Sequence, residues 1–327
     1  MKGKIIGFLV LCLCFASISC TGGKKQPLEK ITLLLDWTPN TNHTGLYCAK
    51  NLGYFEEEGL EVDILLAQEG GTSALVSSGK APFGVSYQEE VTYARSEKLP
   101  VVAIAAMVQH NTSGFAAPSD RGVKTPADFE GKRYGGWGSP VETALLKTLV
   151  GKYGGDFSKV EMLSSGAASF VAAVEKNMFD FAWIYYGWDG ILAELREIPL
   201  TFFLLQDEDP RLDFYTPVII TSEKTISERP EFVKSFLKAV SRGYDYAIQN
   251  PDKAAEILLK EVPELDKELI FASQRYLSPR YQDDAPYWGY MKEAVWNNYM
   301  EWLIENDLLS EAIDIKQAYT IEFLAHD

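Results

Sequence analysis

The chain has 327 residues, a formal net charge of −15 at neutral pH, and 46% hydrophobic and 13% aromatic side chains. This length and apolar content exclude a disordered or fibrous chain and suit about two domains of ordinary size. The acidic balance argues against nucleic acid or an anionic lipid surface as a partner, because both are met with positive charge.

The first residues read MKGKIIGFLVLCLCFASISC: Lys2 and Lys4, an apolar run from Ile5 to Ile18, and small residues before Cys20. This is the pattern of a secretory signal, and the run is shorter than the roughly 20 residues that span a bilayer. Ala16-Ser17-Ile18-Ser19-Cys20 is similar to a bacterial lipobox, where the chain is cut before a lipid-bearing cysteine; Ser17 stands where Leu is usual. A leader of residues 1–19, a lipidated tether of residues 20–27 and an exported body at the outer face of the cytoplasmic membrane or in the periplasm are expected, with plain secretion as the alternative. Cleavage removes Lys2 and Lys4 and no acid, so two fewer positive charges take −15 to −17. Cys12, Cys14 and Cys20 precede the body, which keeps Cys48 alone and no internal disulfide. Such avoidance of cysteine suits an oxidising compartment.

Ile31 to Leu35 is a β-branched-rich apolar run ending at Asp36-Trp37-Thr38-Pro39, which predicts a strand and then a loop, since Pro39 cannot donate to a ladder. From Gly45 to Leu60 the apolar residues Leu46, Ala49, Leu52 and Phe55 recur at helical spacing, and Val62 to Leu66 reads as a second strand. Gly70 to Ser78 reads as a helix, Phe83 to Val85 as a short buried strand running into Ser86-Tyr87-Gln88, and Val101 to Met107 as another strand. A second block opens at Thr125-Pro126-Ala127-Asp128. There Ser139, Pro140 and Glu142 supply the cap, first and third positions of a helix over Val141 to Lys152. Val160 to Leu163, a helix around Ala167 to Glu175, and Phe179 to Ile184 continue the alternation, and Phe202 to Leu205 and Pro217 to Thr221 read as strands. Beyond Pro230 nearly everything is helical, with cap signals at Ser227, Asn250-Pro251 and Asp307, and no internal repeat is visible.

Strands alternating with helices imply an α/β fold with a mostly parallel sheet, whose ligands sit beyond the carboxyl ends of the strands. Two such blocks and a helical tail predict crossings near residues 115 and 215. Residues 28–114 with 216–327 then form one lobe and residues 115–215 the other, about a hinge.

The body's histidines, His43, His110 and His326, form no H-x-x-x-H or H-E-x-x-H pattern, and Cys48 sits at a helical core position, so neither a metal site nor a thiol catalyst is expected. There is no G-x-S-x-G and no Walker loop. Gly135-Gly136-Trp137-Gly138-Ser139 precedes a helix, where freed amides either take an anion or a polar ring edge or simply allow a tight turn. Tyr185, Tyr186 and Trp188 stand beside Asp189; aromatic faces stack on planar ligands and a carboxylate accepts from ring amines. Trp183 reads as core. A similar cluster gathers Asp36, Asn42 and His43 around Trp37, while Trp288, Trp296, Tyr299 and Trp302 have the helical spacing of packing residues.

The segments LLLDWTPNTNHTGLYCAKNLGYFEEEGLEVDI, SSGKAPFGVSYQEE, YGGWGSPVETALLK and FAWIYYGWDGI are similar, in order and across nearly the whole body, to bacterial solute-binding proteins for thiamine pyrimidine precursors. These belong with the fungal thiamine pyrimidine synthase and the sulfonate-binding proteins of ABC importers. The resemblance implies a type II periplasmic-binding-protein fold, two α/β lobes joined by two crossovers and closing around the solute. It also implies a cleft lined by Trp37, Tyr87, the loop Gly135, Gly136 and Ser139 with Glu142, and Tyr185, Tyr186 and Trp188 with Asp189. Where the synthase carries a lysine for pyridoxal phosphate and a reacting histidine, this chain has Ser86 and Glu90, and Leu205 to Tyr215 lacks the synthase's cysteines, so synthase activity is not expected. Asp189 stands where precursor-binding relatives tend to carry Glu.

The expectation is a monomeric, non-enzymatic binding component without a cofactor, which presents an aminopyrimidine thiamine precursor to an ABC permease and its ATPase. The alternatives are riboflavin or another flat heterocycle, a small sulfonate, and, furthest off, an enzyme of pyrimidine biosynthesis. If Cys20 carries the lipid, metabolic labelling with a tagged fatty acid marks the wild type and leaves Cys20→Ser unlabelled; equal labelling of the two removes Cys20 as the anchor.

Overall fold

A computed structural model describes residues 27–67, 71–164 and 169–324, so Cys20, the tether up to residue 26 and His326 lie outside the described residues. One sheet is built from β1 (Glu29–Leu35), β2 (Leu60–Leu66), β3 (Phe83–Ser86), β4 (Val101–Ala106) and the late strand β10 (Val218–Ser222), in the order β2-β1-β3-β10-β4. β1 runs parallel to β2 and β3, and β10 runs antiparallel to both β3 and β4. The intervening chain supplies β5 (Ser113–Pro118), β6 (Arg133–Gly136), β7 (Glu161–Ser164), β8 (Ala182–Tyr185) and β9 (Leu200–Leu204). Here β8-β5-β9 form an antiparallel ladder and β6-β7 a parallel pair. The two are joined by a bridge between Tyr134 and Phe181, where the N–H of Gly135 donates to the Phe181 carbonyl at 2.9 Å. Read across, β7-β6-β8-β5-β9 follows the strand order of the first sheet, a repetition that the amino-acid sequence does not display.

Period-two alternation divides the first sheet's side chains between two cores. Leu33, Leu35, Phe83, Val85 and Ile219 face one side, where Phe83 stacks on Phe236 of the helix Pro230–Gln249 at 3.7 Å. Leu34, Val218 and Ile220 face the other, toward Trp296, Tyr299 and Trp302 of the helix Glu293–Glu305. Those late aromatics are packing residues, and Cys48 is a fully buried hydrophobe in the helix Thr44–Asn51, its thiol pushed up to about 12 by burial. In the other sheet Phe115 of β5 lies among Phe129, Tyr134, Phe181 and Trp183. Among the described residues no helix is long and apolar enough to cross a membrane.

Most expected elements lie within two or three residues of their observed bounds, but two strands were not expected. β5 reads SGFAAP, poor in strand formers. It is fully buried because Gly114 lets the Phe203 carbonyl and the Phe202 ring of β9 come so close that a Cβ would collide. β6 reads RYGG, and a Cβ at Gly135 would likewise strike the Phe179 ring. Two cap signals also differ. Ser227 lies inside the helix Glu223–Glu228, which Ser222 caps, and Asp307 follows the helix Glu293–Glu305 with φ +57°.

The chain passes between the sheets at residues 107–112 and again at 205–217. The two passages are tied together: His110 Nδ1 lies 2.6 Å from Asp213, its Nε2 lies 3.1 Å from Asp284, and the Asn111 N–H donates to Asp213 at 2.8 Å. With a carboxylate at each ring nitrogen the imidazole is held as the cation, and its pKa is raised from 6.5 to about 9, chiefly by the bond to Asp213. A raised folded-state pKa stabilises fully below 6.5 and loses that contribution as pH climbs to about 9. In urea titrations the stability gap between wild type and His110→Gln is therefore expected to be widest near the acid end and to narrow between these two values; a gap independent of pH excludes the ion pair as its source.

Candidate ligand-binding cleft

The residues singled out from the sequence sit at the carboxyl ends of β1, β3, β6 and β8, where open α/β sheets place their ligands. β1 delivers Asp36 and Trp37, β3 delivers Tyr87, β6 delivers the glycine loop, and β8 delivers Tyr185. By contrast, the surface depression among Lys30, Lys80, Ser222 and Arg229 is at the other end of the first sheet and is lined by charged side chains open to water.

On the first lobe Trp37 projects with 57% of its surface exposed. The loop under it is fixed by His43, which is wholly buried. Its Nδ1 accepts the Asn40 N–H at 3.2 Å, which leaves the proton on Nε2, and Nε2 donates to Asp36 at 2.9 Å. His43 is thus a clip inside the loop and does not face the cleft. Asn42 is held through its backbone, whose N–H donates to the Asn40 side chain at 2.8 Å and whose carbonyl accepts from Tyr244 at 2.6 Å. Tyr87 opens the helix Gln88–Ser96, and its hydroxyl is raised in pKa by burial and then by Glu90, Glu89, Tyr185 and Asp36. Those same neighbours locate Tyr87 between the lobes.

On the second lobe the glycine loop has resolved its two readings. Glu142 is 0% exposed, and its Oε2 accepts the N–H groups of Gly138 and Ser139 at 2.7 Å each, while Trp137 N–H lies 3.1 and 3.2 Å from the two oxygens. The Tyr134 hydroxyl donates to Oε1 at 2.6 Å. The amide nest is therefore occupied by the chain's own carboxylate. Glu142 shapes the loop and has no lone pair to spare for a ligand, and Gly136 is needed because a Cβ there would run into that carboxylate. Ser139 caps the helix Pro140–Lys152 through Val141 N–H at 3.2 Å.

The aromatic segment divides. Tyr185 keeps 36% of its surface open, yet burial pushes its hydroxyl up to about 12, as for a cleft wall with one bare face; the hydroxyl lies 3.4 Å from Thr216 Oγ1. Tyr186 turns away, donating to Glu194 at 2.5 Å with its ring against Phe202 and Tyr276. Trp188 packs on the cluster of Tyr47, Leu258 and Ile270, across on the first lobe. A π-helical turn, Tyr186–Gly190, carries these residues, and the Ser273 hydroxyl bonds its Gly187 carbonyl. Asp189 accepts the Phe170 N–H, and burial raises its carboxyl to about 6.

Two groups at the cleft, Glu89 and Thr216, escaped the sequence reading, and Trp137 entered it only as part of the glycine loop. Trp137 is 51% exposed and stacks on the buried Trp183 at 5.1 Å; its place between two glycines was the available signal. Glu89 accepts from Tyr299 at 3.0 Å and is raised to about 7, first by burial and then by the like charges Glu90 and Glu142. Thr216, in the second passage between lobes, has no sequence signal at all. Among the described residues no group of three or more His, Cys, Asp or Glu is placed to hold a metal ion.

Two α/β lobes, two crossovers and a cleft between strand ends define the fold of the periplasmic binding proteins. The chain belongs to the NMT1/THI5 like family, whose pattern matches residues 40–254. It is 30% identical, over 97% of its length and 98% of the relative's, to the formylaminopyrimidine-binding protein of Halalkalibacterium halodurans. The 4-amino-5-hydroxymethyl-2-methylpyrimidine phosphate synthase of Legionella pneumophila is 26% identical over 90% of this chain and 92% of its own. The riboflavin-binding protein RibY of Chloroflexus aurantiacus is 27% identical over 91% and 87%. Among solved structures, the alkanesulfonate-binding protein SsuA from Xanthomonas axonopodis pv. citri, bound to MOPS, superposes with a TM-score of 0.64 at 14% identity, covering 90% of this chain and 99% of that one.

Removing the Glu142 carboxylate leaves buried N–H groups and the Tyr134 hydroxyl without an acceptor. Glu142→Ala is expected to lower unfolding free energy by about 3 kcal/mol, the scale of two or more orphaned buried donors, as a shift in the urea midpoint at unchanged m; a shift below about 0.5 kcal/mol, the range of an ordinary surface change, contradicts this role.

Proposed function

We propose that this protein is the extracytoplasmic solute-binding component of an ABC importer and that it takes an aminopyrimidine precursor of thiamine, such as hydroxymethyl- or formylaminomethyl-aminopyrimidine, between its lobes. The observation that carries the reading is the self-filled amide nest. At the helix N-terminus where an anionic group is usually received, Glu142 already supplies the anion, and Asp36 and the partly ionised Glu89, which both act on Tyr87 and Tyr185, add charge of the same sign. A sulfonate is repelled by such a lining, whereas a flat ring that donates from an amino group is matched by it.

In this reading Trp37 and Tyr185 stack on the ring, Tyr87 closes its edge, and Asp36 or Asp189 accepts from the amino group. Lobe closure, with residues 28–114 and 216–327 moving against 115–215, excludes water. No covalent step is required. Ser86, at the synthase's lysine position, spends its hydroxyl on Glu90 at 2.7 Å, at the histidine position. The protein then works as a monomer, held at the membrane through lipid on Cys20, and hands its solute to a permease. A second reading, riboflavin, is favoured by the two open indoles Trp37 and Trp137, which offer more ring surface than one pyrimidine covers.

Calorimetry with the two aminopyrimidines, riboflavin and an alkanesulfonate separates these. A micromolar or tighter dissociation constant, about −8 kcal/mol or better, is expected for an aminopyrimidine, and Trp37→Ala is expected to weaken it about tenfold, the size of one good aromatic contact. Absence of heat with either pyrimidine on folded protein defeats the ligand assignment, and yellow colour retained on purification transfers it to the flavin.

A further inference from the structure

Glu89 stands in the first turn of the helix Gln88–Ser96, two residues beyond Tyr87, and lies near enough to Tyr185 and Glu142 of the other lobe for their electrostatics to be felt. Its Oε2 is held by the Tyr299 hydroxyl at 3.0 Å, and among the described residues its Oε1 receives no hydrogen bond. Its helix is fixed at this end from two sides: the Gln88 N–H donates to the Tyr215 carbonyl and the Tyr215 N–H to Gln88 Oε1, each at 2.9 Å, and Gln88 Nε2 donates to the Val295 carbonyl at 3.2 Å. The carboxyl is therefore rigidly aimed, half-buried and half-satisfied. The titratable groups acting on or with it are Tyr87, Tyr93, Tyr185, Tyr299, Glu90 and Glu142, none of them a cation. A buried carboxyl with no positive neighbour resists ionisation, and this one is raised to about 7. A ligand that brings its own basic nitrogen beside an N–H donor meets both needs of such a group.

We propose that Glu89 is a specificity-determining residue of the cleft, grasping the amidine edge of the ligand, an amino group beside a basic ring nitrogen, through two hydrogen bonds that share one proton between carboxyl and ring. The proposal rests on the aminopyrimidine reading above. The proton balance follows directly: the complex holds one proton across the pair, whether it arrives on Glu89 or on the ring. Above the pH at which both are bare, binding takes up a proton from solvent, so affinity falls about tenfold per pH unit.

The probe is 4-amino-5-hydroxymethyl-2-methylpyrimidine, titrated calorimetrically from pH 6 to 9 in two buffers of different ionisation enthalpy. Wild type is expected to take up close to one proton per ligand at the alkaline end and to lose affinity there. Glu89→Gln is expected to bind at least tenfold more weakly at pH 7, with no uptake and a flat alkaline profile. Tyr299→Phe removes a bond that favours the ionised carboxylate, so it is expected to bind with its alkaline fall moved to higher pH, and it serves if the glutamine variant melts early. Wild-type binding with no proton uptake, or identical profiles for wild type and Glu89→Gln, overturns the role of Glu89 while leaving the pyrimidine reading intact. Failure of wild type to bind the probe while it binds riboflavin overturns both, and the wild-type arm alone tells the two failures apart.

Discussion

Neither sheet of this protein is complete without chain that has just come from the other. β10 enters between β3 and β4 immediately after the second passage, and β5 enters between β8 and β9 immediately after the first. Both run antiparallel to their neighbours. Because an incoming strand is locked on both edges, the passages at 107–112 and 205–217 have little freedom where they leave the sheets. Their remaining freedom lies between the strands, where His110, Asn111 and Asp213 tie one passage to the other. Thr216, two residues before β10 in that second passage, lies 3.4 Å from the hydroxyl of Tyr185. The cleft and the second passage are thus adjacent in covalent terms as well as in space.

The charge distribution of the cleft follows a single theme. The acids cluster at strand ends, and each is managed locally: Asp36 by the neutral imidazole of His43, Glu142 by three amides and a tyrosine, Asp189 by the Phe170 amide, Glu89 by Tyr299. None of these partners is a lysine or arginine. Hydrogen-bond donors without formal charge satisfy these carboxyls without the compensating charge a cation would bring, and burial holds Glu89 and Asp189 above the usual carboxylate range.

Much of the fold was legible because each apolar run carried its own period. β1, β2, β3, β4 and the helix Pro140–Lys152 are all specified locally, by alternation or by the Ser139-Pro140-Glu142 cap. β5 and β6 were not legible, since their glycines and alanines are chosen for what lies against them, the Phe202 and Phe179 rings, and that contact is invisible along the chain. The site was legible to the extent that residues cluster at strand ends. Which member of a cluster stays open at the strand ends was not, because that depends on contacts made only once the chain is folded. His43 is spoken for by Asp36, Tyr186 by Glu194 and Tyr276, Trp188 by Tyr47 and Ile270. Glu89 went unnoticed for the converse reason: an acid in the first turn of a helix is ordinary, and only Tyr299, 210 residues away, marks it as held in the cleft.

The shared strand order has one more consequence. In each lobe the first parallel strand is followed by an exposed tryptophan, Trp37 after β1 and Trp137 after β6. The two lobes therefore present matching indoles on unlike supports. Trp137 rests on Trp183, whereas Trp37 stands on a loop clipped by a histidine. The two indoles are thus alike in position and unlike in support, one backed by a buried ring and the other by a hydrogen-bonded loop.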